Sequence, residues 1–399
     1  MKVKSIGLFL FLPLVLFGQK ESNKSLRECL KSMLERLEQV KSATYYEDVK
    51  VWQVGDTIPV LTSRRFQKEY DHPADSTIGA SYVVFNGEDT TTFEFAYDGI
   101  VRATAYHDTK RIVIDNFSSN RLPFHPVSAP FFNYAKSIIR YILQTGDSIQ
   151  VDWEDMGEEY HLTLVINEDK DVEFFGKAYY MPGSPLAVER PTSIYDLWFR
   201  KSTGLPYKLR KERTQDISLR TYSDIQINHL LAEDFRAADY FPQGYEITKY
   251  GEKRKTSSPN ELIGKHAPEW ALLDDEGRIV SLNDFKSKVL ILNFTGIGCA
   301  PCHAAIPFLK KLMNDYDRND LEIVALETWI QAPHASRNYA ERNELNYPFL
   351  STTDEVIEAY RTGRTAPVFF ILDDKRMVKD VVTGYSEEEM MNAINELLK

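Results

Sequence analysis

Cysteine is scarce in this chain, which has three cysteines among 399 residues. A small fold held together by several disulfides needs many more, so that class of scaffold is excluded. Excess positive charge is missing too, because 48 Lys and Arg residues face 59 Asp and Glu residues, for a net charge of −11. We therefore expect no nucleic-acid partner. Hydrophobic residues make up 43% of the chain, which is too many for a disordered polymer.

Long apolar runs are also absent beyond the N-terminus. Residues 1–4 carry two lysines, residues 6–17 are mostly apolar, and Gly18 offers a small residue for cleavage. This order is typical of a secretory signal peptide, and the run is shorter than the roughly 20 residues that a membrane span needs. Residues 1–18 therefore predict export of a soluble mature protein. The alternative is an uncleaved N-terminal anchor, which leaves membrane association open.

The length predicts two or three folding units, at roughly 100 to 200 residues per domain. Changes in composition and in the spacing of apolar residues predict a β-rich domain at residues 25–245, a polar linker at 246–260 and an α/β domain at 261–399. Apolar residues at helical spacing predict an opening helix over residues 25–40. Cys29 lies on its apolar face, so we interpret it as a small buried hydrophobe outside the active site.

Alternating apolar and polar residues dominate the chain after this helix. Short segments rich in Tyr, Phe, Val and Thr are separated by turn residues, which predicts antiparallel strands. The predicted strands include residues 81–85, 91–97, 160–166, 193–200, 205–213 and 220–227, with a second helix over residues 133–143.

The layout of this first domain resembles the LolA-like fold of periplasmic lipoprotein carriers. The resemblance rests on the opening helix LKSMLERLEQVKSATY and on the segments at residues 95–99 and 202–207. It implies a helix followed by a curved antiparallel sheet, an unclosed barrel that cups a lipid or lipoprotein. Aromatic strand residues can equally form an ordinary core, so both readings stay open.

A single motif carries recognisable chemistry. Residues 289–294, 301–316 and 321–326 have the patterns of a buried strand, a helix and a second buried strand, and Cys299 and Cys302 lie between the first strand and the helix. Two intervening residues on a first helical turn bring the sulfurs close, and the helix N-terminus favours a thiolate. We therefore predict Cys299 as the nucleophile and Cys302 as the resolving thiol. Two inert buried thiols are the alternative.

The region 261–399 resembles the TlpA-like periplasmic thiol-disulfide oxidoreductases of the thioredoxin superfamily. Matching segments are residues 264–270, 272–282, 289–294 and 365–372, together with Pro307 in the helix after the cysteines. The resemblance implies a C-terminal thioredoxin fold, so the predicted fold class is a two-domain protein, mainly β then α/β. It further implies a protein disulfide oxidoreductase of thioredoxin type, with no cofactor beyond the Cys299–Cys302 redox-active disulfide.

The same resemblance implies a substrate-binding loop, a cellular location and a set of partners. In this family a cis-proline faces the cysteines and the preceding residue pairs with an extended substrate segment, which assigns substrate binding to Ala366 and Pro367. The implied location is the periplasm. The implied partners are exported cysteine-containing proteins and a membrane thiol electron donor, and the family favours reduction over oxidation.

This chain departs from the family near the cysteines. Gly298 replaces the usual tryptophan, Ala305 stands where the family often has glutamate, and Asn293 occupies the place of the buried aspartate of cytosolic thioredoxins. Other members supply a buried glutamate after the next strand, and Glu327 is the nearest candidate for proton transfer. An exposed strand-end carboxylate is the alternative for Glu327.

Other classes of function fit less well. His303 either tunes the thiolate or is a solvated surface imidazole. A thiol peroxidase is disfavoured because Gly296, not threonine, lies three residues before Cys299. No metal is expected, because a closed zinc site needs four ligands and no second ligand pair exists. The main alternative function is a lipid or lipoprotein carrier in which the thioredoxin-like domain is a docking or regulatory module.

Overall fold

The computed structural model describes residues 16–87, 89–117, 128–168, 170–180, 192–213, 216–230, 235–252, 258–274, 276–330 and 332–399. In this part of the chain the helices are α1 (Leu16–Glu38), α2 (Phe131–Gln144), α3 (Ala300–Asp315), α4 (Pro333–Arg342), α5 (Asp354–Ala359) and α6 (Glu387–Leu397). Three 3-10 turns cover Ala237–Tyr240, Pro259–Leu262 and Leu282–Asp284.

The strands before residue 250 are β1 (Ser42–Gln53), β2 (Leu61–Asp71), β3 (Ala80–Asn86), β4 (Phe93–Tyr97), β5 (Arg102–Tyr106), β6 (Arg111–Asp115), β7 (Ile149–Asp155), β8 (Glu159–Ile166), β9 (Lys170–Val172), β10 (Ala178–Tyr180), β11 (Ser193–Arg200), β12 (Leu205–Glu212), β13 (Asp216–Ile227) and β14 (Glu246–Lys249). The later strands are β15 (Ala271–Leu273), β16 (Ile279–Ser281), β17 (Val289–Thr295), β18 (Leu321–Glu327), β19 (Phe349–Ser351), β20 (Val368–Leu372) and β21 (Val378–Thr383).

Twelve strands form one open N-terminal sheet in the order β14-β6-β5-β4-β3-β2-β1-β13-β12-β11-β8-β7. Neighbouring strands are antiparallel except for β14, which runs parallel to β6. The sheet therefore does not close on itself within the described residues. Strands β9 and β10 form a separate small hairpin.

Helices α1 and α2 cover one face of this sheet. Their apolar residues join those of β1, β8, β11, β12 and β13 in the largest core cluster of the N-terminal part. The start of α2 is held by a buried carboxylate from β2, because Glu69 accepts the backbone N–H groups of Phe132 at 3.0 Å and Asn133 at 2.7 Å. A carboxylate at a helix N-terminus satisfies N–H groups that have no partner inside the helix.

Five strands form the C-terminal sheet in the order β19-β18-β17-β20-β21. The three strands β17, β18 and β19 are parallel, while β20 and β21 are antiparallel to their neighbours. Every residue of β17 is buried, as expected for a central strand covered on both faces. Helices α3 and α6 pack on one face, and the β15–β16 hairpin contributes to the core on the other.

Most of the sequence-predicted elements agree with the structure to within a few residues, including the helix predicted over residues 133–143 and the strands predicted at 193–200 and 289–294. The linker predicted at 246–260 needs correction at its start, because β14 occupies its first four residues and extends the large sheet. Residues 253–257 of that linker, and residues 1–15 of the predicted signal peptide, lie outside the described residues.

None of the helices in the described residues combines the length and the apolar character that crossing a membrane requires.

Candidate active site

The cysteine pair lies where β17 passes into α3. Cys299 is the N-cap residue of α3, and its Sγ accepts the backbone N–H of Cys302 at 3.3 Å. The two residues form a disulfide with their Cα atoms 5.2 Å apart. Only 4% of Cys299 and 2% of Cys302 is exposed. The first sulfur thus occupies the helix N-terminus, where unpaired N–H groups favour a negative charge.

The loop before β20 faces the first cysteine. Strand β20 is antiparallel to β17, and Phe294 pairs with Val368, so the start of β20 meets the end of β17. The Ala366–Pro367 peptide bond in this loop is cis, as the family resemblance implies. The carbonyl oxygen of Ala366 lies 3.7 Å from Cys299 Sγ.

Glu327 lies at the same edge of the sheet, because β18 is parallel to β17 and Thr295 pairs with Glu327. Its side chain is fully buried, so the alternative of an exposed strand-end carboxylate is wrong. One carboxylate oxygen accepts the N–H of Ile297 at 2.7 Å, and the other accepts those of Trp329 at 2.7 Å and Ile330 at 2.8 Å. Burial raises the pKa of Glu327, and the three backbone hydrogen bonds partly offset this rise.

The carboxylate of Glu327 therefore connects the loop before Cys299 to the loop after β18. Burial and a raised pKa are properties that active-site proton donors and acceptors share. The three hydrogen bonds also give it a structural task, which is to fix the path of both loops.

His303 is partly buried beside α4. Its Nδ1 lies 3.3 Å from the hydroxyl of Tyr339, and burial lowers the pKa of its imidazole below the ordinary value of 6.5. Asn293 is buried within β17, and its Oδ1 has no hydrogen-bond partner among the described residues.

An aromatic side chain that our sequence-based prediction missed covers the loop before Cys299. The indole of Trp329 lies against Gly296, and its Nε1–H donates to the carbonyl oxygen of Arg364 at 2.9 Å. Two features of the sequence could have indicated it. Trp329 lies two residues after the candidate Glu327, and Gly298 stands where the family usually has a tryptophan.

The connection between β1 and β2 reaches from the large sheet to this region. Val60 packs against a cluster formed by Ile297, Ile306, Ala335 and Tyr339. A carboxylate oxygen of Asp56 accepts hydrogen bonds from Arg342 at 2.7 Å and from Asn338 at 3.1 Å, both on α4. No local pattern in the sequence predicts this contact.

Two adjoining cavities open on the N-terminal sheet, away from the cysteines. The larger is about 350 Å³ and the smaller about 140 Å³, and they share Ser128, Ala129 and Arg220. Tyr82, Val84, Phe95 and Phe131 line the larger one together with Glu47, Arg65, Glu94, His107 and Arg220. Charged groups are therefore as prominent in this lining as aromatic ones.

The third cysteine, Cys29, lies outside this site. Cys29 is free and half-buried on α1, where it packs against the core of the large sheet. Burial raises the pKa of its thiol. In the described part of the chain, no three His, Cys, Asp or Glu side chains are grouped so that they could hold a metal ion.

The C-terminal part of the chain is similar to known proteins. The AhpC/TSA family matches residues 263–381. The thiol-disulfide oxidoreductase ResA of Geobacillus thermodenitrificans is 32% identical over 138 residues, which are 34% of this chain and 78% of that protein. ResA of Bacillus subtilis is 31% identical over 137 residues, which are 34% of this chain and 75% of that protein.

Solved structures with the same extent of overlap include two bacterial proteins. A thiol:disulfide interchange protein of the thioredoxin family from Chlorobium tepidum is 24% identical, with a TM-score of 0.30, over 34% of this chain and 96% of its own. The thioredoxin domain of a thiol-disulfide oxidoreductase from Bacteroides vulgatus is 23% identical, with a TM-score of 0.30, over 34% of this chain and 98% of its own.

The similarity to ResA spans more than two thirds of that protein. The AhpC/TSA match over residues 263–381 includes the Cys299–Cys302 pair, which the structure joins at the start of α3. This chain therefore belongs to the ResA-like thiol-disulfide oxidoreductases and is a protein disulfide oxidoreductase of thioredoxin type.

Proposed function

We propose that this protein is a periplasmic reductase that exchanges its Cys299–Cys302 pair with cysteines of other exported proteins. The position of Cys299 carries the proposal. Its Sγ receives an N–H at the start of α3 and lies 3.7 Å from Ala366 O, in the loop that this family uses for substrates. The helix N-terminus favours the thiolate that attack requires.

The proposed reaction transfers two electrons in two exchange steps. In the reduced protein, the Cys299 thiolate attacks one sulfur of a substrate disulfide, and the other substrate sulfur leaves as a thiolate that takes up a proton. The Cys302 thiol then loses its proton and attacks Cys299 Sγ, which releases the second substrate thiol. The products are a reduced substrate and the Cys299–Cys302 disulfide. A membrane dithiol donor would reduce this disulfide again.

Two further groups have proposed roles in these steps. Ala366 and Pro367 would bind the substrate segment that carries the attacked cysteine, because Ala366 is the backbone neighbour of Cys299 Sγ. Glu327 would accept the proton of Cys302 and return it during re-reduction. Support for the second role is its burial, its raised pKa and its hydrogen bond to Ile297, two residues before Cys299.

Trapping tests the central proposal. The Cys302→Ser variant retains the nucleophile but cannot resolve a mixed disulfide, so it should accumulate disulfide-linked exported proteins in the periplasmic fraction. The matched Cys299→Ser variant should trap none. Equal amounts of trapped protein with both variants would contradict the assignment of Cys299 as the nucleophile.

Redox titration tests the direction. A reductase should have a potential near that of thioredoxin, about −270 mV, whereas an oxidant such as DsbA lies near −120 mV. A potential of about −120 mV would rule out the reductase proposal and indicate that the protein oxidises its substrates.

Cell fractionation tests location, because the proposal requires the protein in the periplasm or on the outer side of the inner membrane.

Ligand binding by the N-terminal sheet remains the alternative proposal for residues 25–245. The sheet is open, and the volume of its larger cavity, about 350 Å³, lies within the range of small-molecule binding sites. The charged groups in that cavity favour a lipid with a polar headgroup, or another polar ligand, over a bare acyl chain. Organic extraction of the purified protein, followed by mass spectrometry, tests this alternative. A clean extract would contradict lipid carriage.

A further inference from the structure

Trp329 lies flat against the backbone of the loop that leads to Cys299. A Cβ atom added to Gly296 would come within 2.4 Å of the indole Cδ2, so only glycine allows this approach. Gly296 is not among the glycines with positive φ, so backbone conformation does not require glycine there. The glycine is therefore needed for the contact with the ring. Gly296 O in turn accepts the N–H of Cys299 at 3.1 Å, so the glycine that the ring covers is hydrogen-bonded to the backbone of Cys299.

Three hydrogen bonds hold Trp329, two at its backbone and one at its indole. The backbone N–H of Trp329 donates to Glu327 at 2.7 Å, and its Nε1–H donates to the carbonyl oxygen of Arg364 at 2.9 Å. The guanidinium of Arg364 donates back to the carbonyl oxygen of Trp329 at 3.3 Å. Arg364 lies two residues before Ala366, so Trp329 connects the loop after β18 to the cis-proline loop.

The ring is nevertheless open to solvent. Trp329 is 37% exposed, although its indole N–H is already used in a hydrogen bond. An aromatic surface of this kind is costly to leave in water and is well suited to contact apolar groups of a partner. Gly298, directly before Cys299, offers no side chain there, so Trp329 supplies an aromatic wall from a different loop.

We propose that Trp329 is a specificity-determining residue that contacts the side chain next to the attacked cysteine of a protein substrate. The favoured substrate is an extended segment with an aromatic or large apolar residue beside its cysteine. This inference rests on the proposed exchange reaction and deepens it. Gly296 gives the ring its place, Arg364 and Glu327 hold it there, and the exposed face of the indole receives the substrate side chain.

Two peptides that differ in one residue test this inference. Each contains one cysteine in a mixed disulfide with thionitrobenzoate, and the neighbouring residue is Phe in one and Ser in the other. The Cys299 thiolate attacks the peptide sulfur, the coloured thionitrobenzoate leaves, and its absorbance gives a second-order rate constant. We expect the reduced protein to prefer the Phe peptide by about tenfold, since an aromatic contact contributes roughly that factor.

Variants separate recognition from structural support. Trp329→Ala should bring the ratio of the two rate constants close to one, and Trp329→Phe should keep most of it. Trp198→Phe, the same replacement on β11 of the large sheet, should leave the ratio unchanged. If Trp329→Ala slows both peptides equally, the residue is only structural and the inference is wrong while the proposed function stands. If the wild-type protein reacts with neither peptide, the proposed function itself fails.

A second measurement checks the position of the ring. The chain has five tryptophans. We expect Trp329, whose ring covers Gly296 three residues before Cys299, to be the one whose fluorescence rises when the pair is reduced. Trp329→Phe should remove most of the fluorescence change, whereas Trp198→Phe should not. An unchanged signal in Trp329→Phe would contradict the inference that the ring lies close enough to the pair to contact a bound substrate.

Discussion

At the scale of single residues, one buried carboxylate holds the loop that leads to the cysteine pair. Glu327 accepts three backbone N–H groups and so holds the loop before Cys299 against the loop that carries Trp329. The same carboxylate has a raised pKa because it is buried. A group with both properties can stabilise the fold and also carry out the proton transfer that we propose.

Replacing this carboxylate should therefore destabilise the protein. In Glu327→Gln the amide nitrogen cannot accept a hydrogen bond, so at least one of the three N–H groups loses its partner. We expect the free energy of unfolding to fall by about 1 to 3 kcal/mol, as for an unsatisfied buried donor. Urea unfolding at pH 7 measures this. Glu358→Gln, an exposed residue of α5, is the matched control, and an equal effect of both changes would contradict the role of Glu327.

The proton-transfer role gives a separate prediction for the same residue. If Glu327 takes the proton of Cys302, Glu327→Gln should slow the resolving step and remove one ionisation from its pH–rate profile. We expect a loss of about 10²-fold in that step, the lower end for a general base. Rapid mixing of reduced protein with a disulfide at pH 5 to 9 measures it. An unchanged profile would leave Glu327 with its structural role alone.

Glu173, which lines the smaller cavity, should make stability depend on pH. Burial, with the nearby charge of Asp171, raises the pKa of Glu173 from 4.5 to about 7. Because the folded state holds this proton more tightly, the contribution to stability is present at pH 4 and is lost as the pH rises through about 7.

The Glu173→Gln variant removes that dependence. Relative to wild type, we expect it to gain about 1 to 2 kcal/mol between pH 4 and pH 8, less than the full shift because solvent reaches the half-buried group. Denaturant unfolding of both proteins at the two pH values measures the difference. Parallel pH curves would contradict the raised pKa.

At the scale of elements, the ends of helices and strands position the site. The carboxyl ends of β17 and β18 and the start of β20 meet at one edge of the C-terminal sheet, which collects Cys299, Glu327 and Ala366. These elements could be predicted from the sequence because each has a local pattern. The apolar run of β17 marks a strand buried on both faces, and the pattern after Cys299 marks the helix α3.

The final helix shows how a local signal sets a boundary. Ser386 is the N-cap of α6, and its side chain accepts the N–H of Glu389 at 3.3 Å. Ser386→Ala should lower the free energy of unfolding by about 0.5 to 2 kcal/mol, whereas Ser386→Asp should retain the cap. Thermal unfolding of the three proteins measures this, and equal effects of the two variants would show that the cap contributes nothing.

At the scale of the whole molecule, the large sheet contacts the redox site through the connection between β1 and β2. The Asp56 side chain is 2% exposed and pairs with Arg342 on α4 at 2.7 Å. Val60 covers apolar residues that include Ile297, two residues before Cys299. A change in the N-terminal part can therefore reach the loop of the cysteine pair through this contact.

A double-mutant cycle tests the contact. Asp56→Ala and Arg342→Ala should each destabilise the protein, and the double variant should lose about 1 kcal/mol less than the sum, because Arg342 is partly exposed and its charge is screened. Asp56→Asn keeps one acceptor and is the milder control. Strictly additive effects would show that the two side chains do not interact in solution.

The sequence by itself predicted the cysteine pair, the family and the unit of β17, α3 and β18 within residues 261–399. These features depend on spacings within one segment, such as the two residues between Cys299 and Cys302. The start of the predicted linker was placed wrongly, since β14 pairs with β6, whose residues lie 135 positions earlier in the chain. A polar segment gives no local sign that it will pair with a distant strand.

Only the tertiary structure decided the burial of Glu327, the place of Trp329 and the contact of Asp56. Each depends on groups that the fold brings together from far apart in the chain, as when Asp56 meets Arg342 across 286 positions. The spacing of the sequence fixes which side chain points to which face of its own element. Which other element covers that face depends on the packing of the whole chain, and so do the proton affinity of a carboxylate and the exposure of an indole.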